Sequence, residues 1–191
     1  MQPVMTEERR AARPRRTRRK PPARLARQVP MSTTQRQPLH KIPVYEVRLR
    51  QARRPLLLAE TSLEHSGVSA RALHSLIGLT DREHLALIFL NARNSIVGAH
   101  VAAVGGQHLI GAIDPRVMLR AALAACASAI VLGHNHPSGD PSPSPEDLES
   151  TAHIMRAADI VGIPVVDHVI VTSNPHRYHS MFERGTLPPL R

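Results

Sequence analysis

The stretch that most limits what this chain can fold into is Ala129-Ile130-Val131-Leu132-Gly133-His134-Asn135-His136-Pro137-Ser138-Gly139-Asp140. Its opening residues form an apolar, β-branched run of the length of a buried strand. Two histidines stand at the strand end. A turn of Pro, Gly and Ser follows, and then Ser144-Pro145-Glu146-Asp147, which reads as a helix start. Residues i and i+2 of a strand share a side, so His134 and His136 aim at one point. Asp147, on the first helical turn, returns to meet them. Two imidazoles and one carboxylate, with one position left open, make the ligand set of a catalytic zinc site. Pro137, Pro141, Pro143 and Pro145 stiffen the intervening loop and lower the entropy lost in ordering it.

Asp147 also has a purely structural explanation. Ser144-Pro145-Glu146-Asp147 is close to a capping box, with Ser144 as N-cap and Asp147 at N3, and helix starts favour acidic residues through the macrodipole. The two roles are compatible. The histidines decide for a ligand, because they lie where a buried strand opens into a loop, the place where α/β proteins hold ligands.

Around this stretch the chain alternates strand and helix signals. Val44 to Arg50 alternates apolar and polar residues, the pattern of a half-buried strand. Ser69 to Ile77 reads as a short helix ended by Gly78. Leu85 to Leu90 is a continuous apolar run, turned by Asn91-Ala92-Arg93-Asn94 into a second strand, Ser95 to Val104, to form a hairpin. Asp114-Pro115 starts a helix running to about Ser128. The helix that begins at Ser144 ends at Gly162, and Pro164 to Val171 gives a further strand. The remaining residues read as irregular. The expectation is an α/β fold. Cys126, without a partner or an activating neighbour in sequence, reads as a small core residue.

The charge is unevenly placed. Before Gln37 there are eleven Lys/Arg against two Glu, so 11 − 2 = +9; the remainder holds 25 − 11 = 14 basic and 15 − 2 = 13 acidic residues, so +1. Residues 1–40 are Arg/Pro-rich without hydrophobic period, and the expectation is a disordered tail ahead of one domain, 41–191. The basic run reads either as a solvating tail or as an arm that contacts nucleic-acid phosphates without sequence preference. One cysteine allows no intrachain disulfide, which suits a reducing cytoplasm. No run is long enough to span a bilayer, so no membrane is expected as a partner.

The order His134-Asn135-His136-Pro137, six residues, Ser144, two residues, Asp147 resembles the His-x-His-Pro…Ser-x-x-Asp signature of the JAMM (MPN-plus) metalloproteases. The wider text is similar to their bacterial RadC-like branch at Leu132 to Asp140, at Val166-Asp167-His168-Val169-Ile170 and at Ser180-Met181-Phe182-Glu183-Arg184-Gly185. The similarity covers about residues 80–187. It implies a JAB1/MPN-type mixed β-sheet flanked by helices. It also implies one zinc ion held by His134, His136 and Asp147, and an upstream glutamate acting through the zinc-bound water. Glu83 is the best match for that glutamate, with Glu60 and Glu64 in reserve.

The expected chemistry is amide hydrolysis, peptide or isopeptide, on a protein or peptide substrate. Zinc brings the pKa of its water to about 7, Glu83 is the general base, and the Ser144 hydroxyl supplies a donor where carbonyl charge develops. His168 reads as a buried, hydrogen-bonded core residue, with support of a metal ligand as the lesser reading.

A second expectation is a nucleic-acid-associated protein, since the RadC label has long been attached to DNA repair. Residues 41–80 show no match to the helix-hairpin-helix-like region of such proteins, so binding would fall to the basic arm. Amidohydrolase barrels need more chain than this, and cupin-like sites sit in all-β jelly rolls. A metal-free scaffold is disfavoured by the presence of all three ligands and the motif serine.

Overall fold

A computed structural model describes residues 43–44, 46, 49–53, 55–105 and 114–190. The expected tail, 1–40, lies outside the described residues. Among the described residues every regular element falls within the compact unit Tyr45–Arg191.

The frame is a five-stranded mixed sheet flanked by helices. Strand β1 (Glu83–Leu90) forms an antiparallel hairpin with β2 (Ile96–Gly105) and pairs on its other side, also antiparallel, with β3 (Ala129–Asn135). Helix α2 (Pro115–Ala124) lies between β2 and β3 in the chain, and helix α3 (Pro145–Ile160) carries the chain from β3 to its parallel neighbour β4 (Val165–Val171). A three-residue strand, β5 (Tyr178–Ser180), completes the order β2-β1-β3-β4-β5. The metal-motif strand is therefore the central one, and all seven of its residues are buried.

The unbroken apolar run of β1 follows from having core on both faces. Leu85, Leu87 and Phe89 pack with Ile130 and Leu132 under α2 and α3, against Met118 and Ile154. Ala86, Ile88 and Leu90 face the other way, with Val131, Val169 and Val171, toward Leu73 of helix α1 (Ser66–Leu73). Gly133 lets α1 approach the central strand closely, since a Cβ there would lie 2.3 Å from both Leu73 Cδ atoms. The amino end of α1 is held by Glu183, whose carboxylate accepts from Ser66 N at 3.0 Å. A negative charge is well placed at that end of the helix dipole.

Several sequence expectations are corrected here. Val44 to Arg50 is not a strand at its described positions, and Val44 is 97 % and Leu49 57 % exposed. Alternation needs a neighbouring edge to satisfy the backbone. Among the described residues it is 61–63 that bond the head of β2: Leu63 N donates to Asn94 O (2.9 Å) and Ile96 N to Thr61 O (2.8 Å). The helix expected from Ser69 begins at Ser66 and closes in a π-helical turn, His74–Gly78. The carboxyl-terminal segment, expected irregular, contributes β5.

Helix α2 stops at Ala124 rather than near Ser128. Ala127 N donates to Ala122 O and Cys126 N to Leu123 O, both at 3.0 Å, the paired bonds of a Schellman end. The residue at the left-handed position of that end is Cys126, at φ 52°, and it is exposed rather than in the core. Among the described residues no helix is long and apolar enough to cross a membrane.

Candidate metal centre

The carboxyl end of β3 places His134 and His136 on one side and Asn135 on the other, as strand geometry requires. Asp147 arrives from α3 through its capping box. Ser144 Oγ accepts from Asp147 N at 3.1 Å, and the Asp147 carboxylate accepts from Ser144 N at 2.8 Å through Oδ2. The cap orients the carboxylate so that one oxygen faces each histidine. Asp147 Oδ1 lies 3.5 Å from His134 Nε2, Oδ2 lies 3.6 Å from His136 Nε2, and the two Nε2 atoms are 2.9 Å apart.

A tetrahedral zinc with bonds of about 2.05 Å spaces its donors about 3.3 Å apart. Each histidine nitrogen lies close to that distance from its own carboxylate oxygen, the two rings need a slight parting, and one donor atom from each residue can be chosen with all three within 4.8 Å of one another. His134, His136 and Asp147 thus form a group able to hold a metal ion, and the nitrogen-and-oxygen donor set fits zinc chemistry.

Both rings turn Nε2 inward and hydrogen-bond through Nδ1 on the far side. His136 Nδ1 is 2.7 Å from the Asp140 carbonyl, which only accepts, so Nδ1 carries the proton and Nε2 faces inward. His134 Nδ1 is 2.8 Å from His168 Nε2, and His168 Nδ1 is 2.6 Å from Thr151 Oγ1. His168 is thus buried and hydrogen-bonded as expected, and its partner, His134, is one of the three candidate ligands.

Burial pushes His134 below the ordinary histidine range, against the opposing pull of its hydrogen bond to Asp147. His168 is held well below that range by burial and the neighbouring His134. For His136 burial acts in the same sense, but bonding to Asp147 and to the Asp140 carbonyl outweighs it and raises the ring. Burial acts to raise Asp147, yet the two histidines beside it and the hydrogen bond from Ser144 N keep its carboxyl far below the usual carboxylate range. The cluster therefore favours a neutral His134, an ionised Asp147 and a His136 that binds either a proton or a cation.

Glu83 is the first residue of β1, half-buried, and its negative charge acts on both His134 and His136. The backbone on either side of it is gripped by Asn135, whose Oδ1 accepts from His84 N (2.7 Å) and whose Nδ2 donates to Arg82 O (3.0 Å). The reserve carboxylates stand elsewhere: Glu60 pairs with Arg71 at 2.9 Å, and Glu64 is exposed. Ser144 caps α3 beside Asp147, and its oxygen accepts from Asp147 N, which leaves the hydroxyl proton free to donate. Sequence reasoning missed Asn135 and Thr151. Thr151 was discoverable, because it stands four residues after Asp147 on a helix and so shares its face; nothing in sequence marks the Asn135 clamp.

A family profile described as "RadC-like JAB domain" matches residues 63–186. Among curated relatives, a "UPF0758 protein" of Carboxydothermus hydrogenoformans is 38% identical over 105 residues, covering 55% of this chain and 45% of that protein. A "UPF0758 protein" of Desulforudis audaxviator is 42% identical over 94 residues (49% and 40%), and one of Listeria welshimeri is 41% identical over 104 residues (54% and 45%). The chain spans less than half the length of these relatives. The profile match, the mixed sheet flanked by helices and the histidine pair at the end of its central strand agree, and the chain belongs to the RadC-like JAB domain family.

Proposed function

We propose that this protein is a zinc-dependent hydrolase that cuts an amide bond, peptide or isopeptide, in a protein or peptide substrate. The observation that carries this reading is the convergence of His134 Nε2, His136 Nε2 and an Asp147 oxygen, with both Nδ1 atoms engaged in hydrogen bonds on the far sides. Zinc bound there supplies a Lewis acid and brings the pKa of a coordinated water to about 7. The remaining work falls to side chains. Glu83, held at the edge of the cluster, takes the proton of the attacking water and hands it to the leaving amine. Ser144 turns its unspent hydroxyl proton toward the substrate carbonyl oxygen as negative charge grows there.

Zinc analysis of the purified protein and of His136→Ala, followed by a cleavage screen over a peptide library, tests the reading. The wild type should hold about one zinc per chain, His136→Ala should lose it, and cleavage should follow the metal. A wild-type protein that takes up no zinc on loading refutes it. The lone cysteine suits the cytoplasm as the compartment.

The +9 balance of the first 36 residues supports a second reading, a DNA-repair-associated protein that binds nucleic acid without sequence preference through the basic segment. A DNA titration with and without residues 1–40 tests it. Equal affinity of the two forms rejects the arm.

A further inference from the structure

Thr151 takes no part in the donor set or in the proton transfers above, yet it heads a buried series of hydrogen bonds that ends on His134. Its Oγ1 lies 2.5 Å from the Asp147 carbonyl oxygen and 2.6 Å from His168 Nδ1, and His168 Nε2 lies 2.8 Å from His134 Nδ1. Thr151, His168 and His134 are all fully enclosed. A carbonyl oxygen has no proton to give, so two oxygens this close require the threonine proton between them. The Met181 sulfur, 3.9 Å away, is a much weaker acceptor.

With its proton committed, the hydroxyl accepts from His168 Nδ1–H. His168, neutral in this enclosed setting, then offers a lone pair at Nε2 and accepts from His134 Nδ1–H. The last atom of the series, His134 Nε2, is left bare. Reversing the first bond would reverse every later one and put a proton on the ligand nitrogen.

We propose that Thr151 is a positioning residue of the metal centre, selecting through His168 the His134 tautomer that can bind a cation at Nε2. This rests on the metal reading given above. Partners at this remove from a metal typically change affinity about 10- to 100-fold when lost.

The test has two arms. Long-range 1H–15N correlation of the imidazoles in the metal-free wild type should show His168 and His134 both as Nδ1–H tautomers. Zn2+ titration against a chromophoric chelator should show Thr151→Val binding about 10- to 100-fold more weakly, with Thr151→Ser restoring wild-type affinity. A role confined to packing would lower the thermal midpoint of Thr151→Val and leave its zinc affinity unchanged, which overturns the proposal. An Nε2–H tautomer of His168 in the wild type also overturns it, and this arm holds even if Thr151→Val does not fold. A wild type that binds no Zn2+ removes the metal reading, while the tautomer pattern still decides the series.

Discussion

Replacing Gly133 with alanine adds one methyl group to β3 immediately before His134. The new Cβ would lie 2.3 Å from Leu73 Cδ1 and Cδ2 and 2.8 Å from Cγ, where carbon atoms pack at about 3.5–4.0 Å. Leu73 must retreat by more than 1 Å, on the order of the shortfall between these distances. A surface leucine could do so by rotating. Leu73 is fully buried against Ile88, Val131 and Val169, so the whole side chain is opposed at once.

Overpacking of this kind costs about 1–3 kcal/mol, and the triple contact argues for the upper half, about 2–3 kcal/mol. Leu73→Ala alone should cost about 2–5 kcal/mol through the cavity it leaves. In the double variant the added methyl occupies part of that cavity, so its loss should fall short of the sum of the singles by about 2 kcal/mol. Urea unfolding of the metal-free proteins at constant m reads all three differences. A Gly133→Ala protein within about 0.5 kcal/mol of wild type, or strict additivity in the double variant, refutes the packing account.

Glu83→Gln should retain zinc and lose amide cleavage, as metal analysis and rates on any peptide substrate will show; an unchanged rate assigns the base elsewhere. Ser144→Ala should lose about 1 kcal/mol of stability with the N-cap and about 10²–10³ in turnover with the carbonyl donor, read by urea unfolding and steady-state rates. If turnover is retained, the serine is a cap alone. Stability of the metal-free protein should peak near pH 6.5. Below that pH the unfolded chain binds protons that the folded His134 and His168, both lowered, refuse, so stability falls by up to about 1.4 kcal/mol per pH unit for each. Above it, the raised His136 gives the opposite slope, since the folded state holds a proton the unfolded chain has released. Urea midpoints between pH 5 and 8 check the peak, and a steady rise from pH 7 down to pH 5 contradicts it.

The parts of the fold readable from sequence were those whose cause is local. The two-residue period places His134 and His136 on one side, and the Ser144 cap announces α3 and Asp147 together. The doubly buried β1 shows as an unbroken apolar run. The parts that escaped depend on partners distant in sequence. Val44 to Arg50 alternates as a strand would, but among the described residues the segment that bonds the head of β2 is 61–63. Cys126 looked like core because its neighbours are alanines, whereas the end of α2 demanded a left-handed residue where no glycine was present. Asn135 reads as the spacer of a histidine pair until β1 is laid beside it.

That side-by-side placement divides the centre into two inheritances. All three candidate donors come from the single span His134 to Asp147, a strand end and the helix that follows, whereas the acid at the head of β1 is delivered by a separate hairpin, laddered to β3 from the pair Leu85 and His134 to the pair Leu90 and Ala129 and clamped at its start by the Asn135 amide. A substitution confined to Glu83 would remove that acid without altering His134, His136 or Asp147. On the proposed reading, holding an ion and using it are thus separately inherited capacities, and a descendant of this fold could forfeit turnover while remaining a faithful ion carrier.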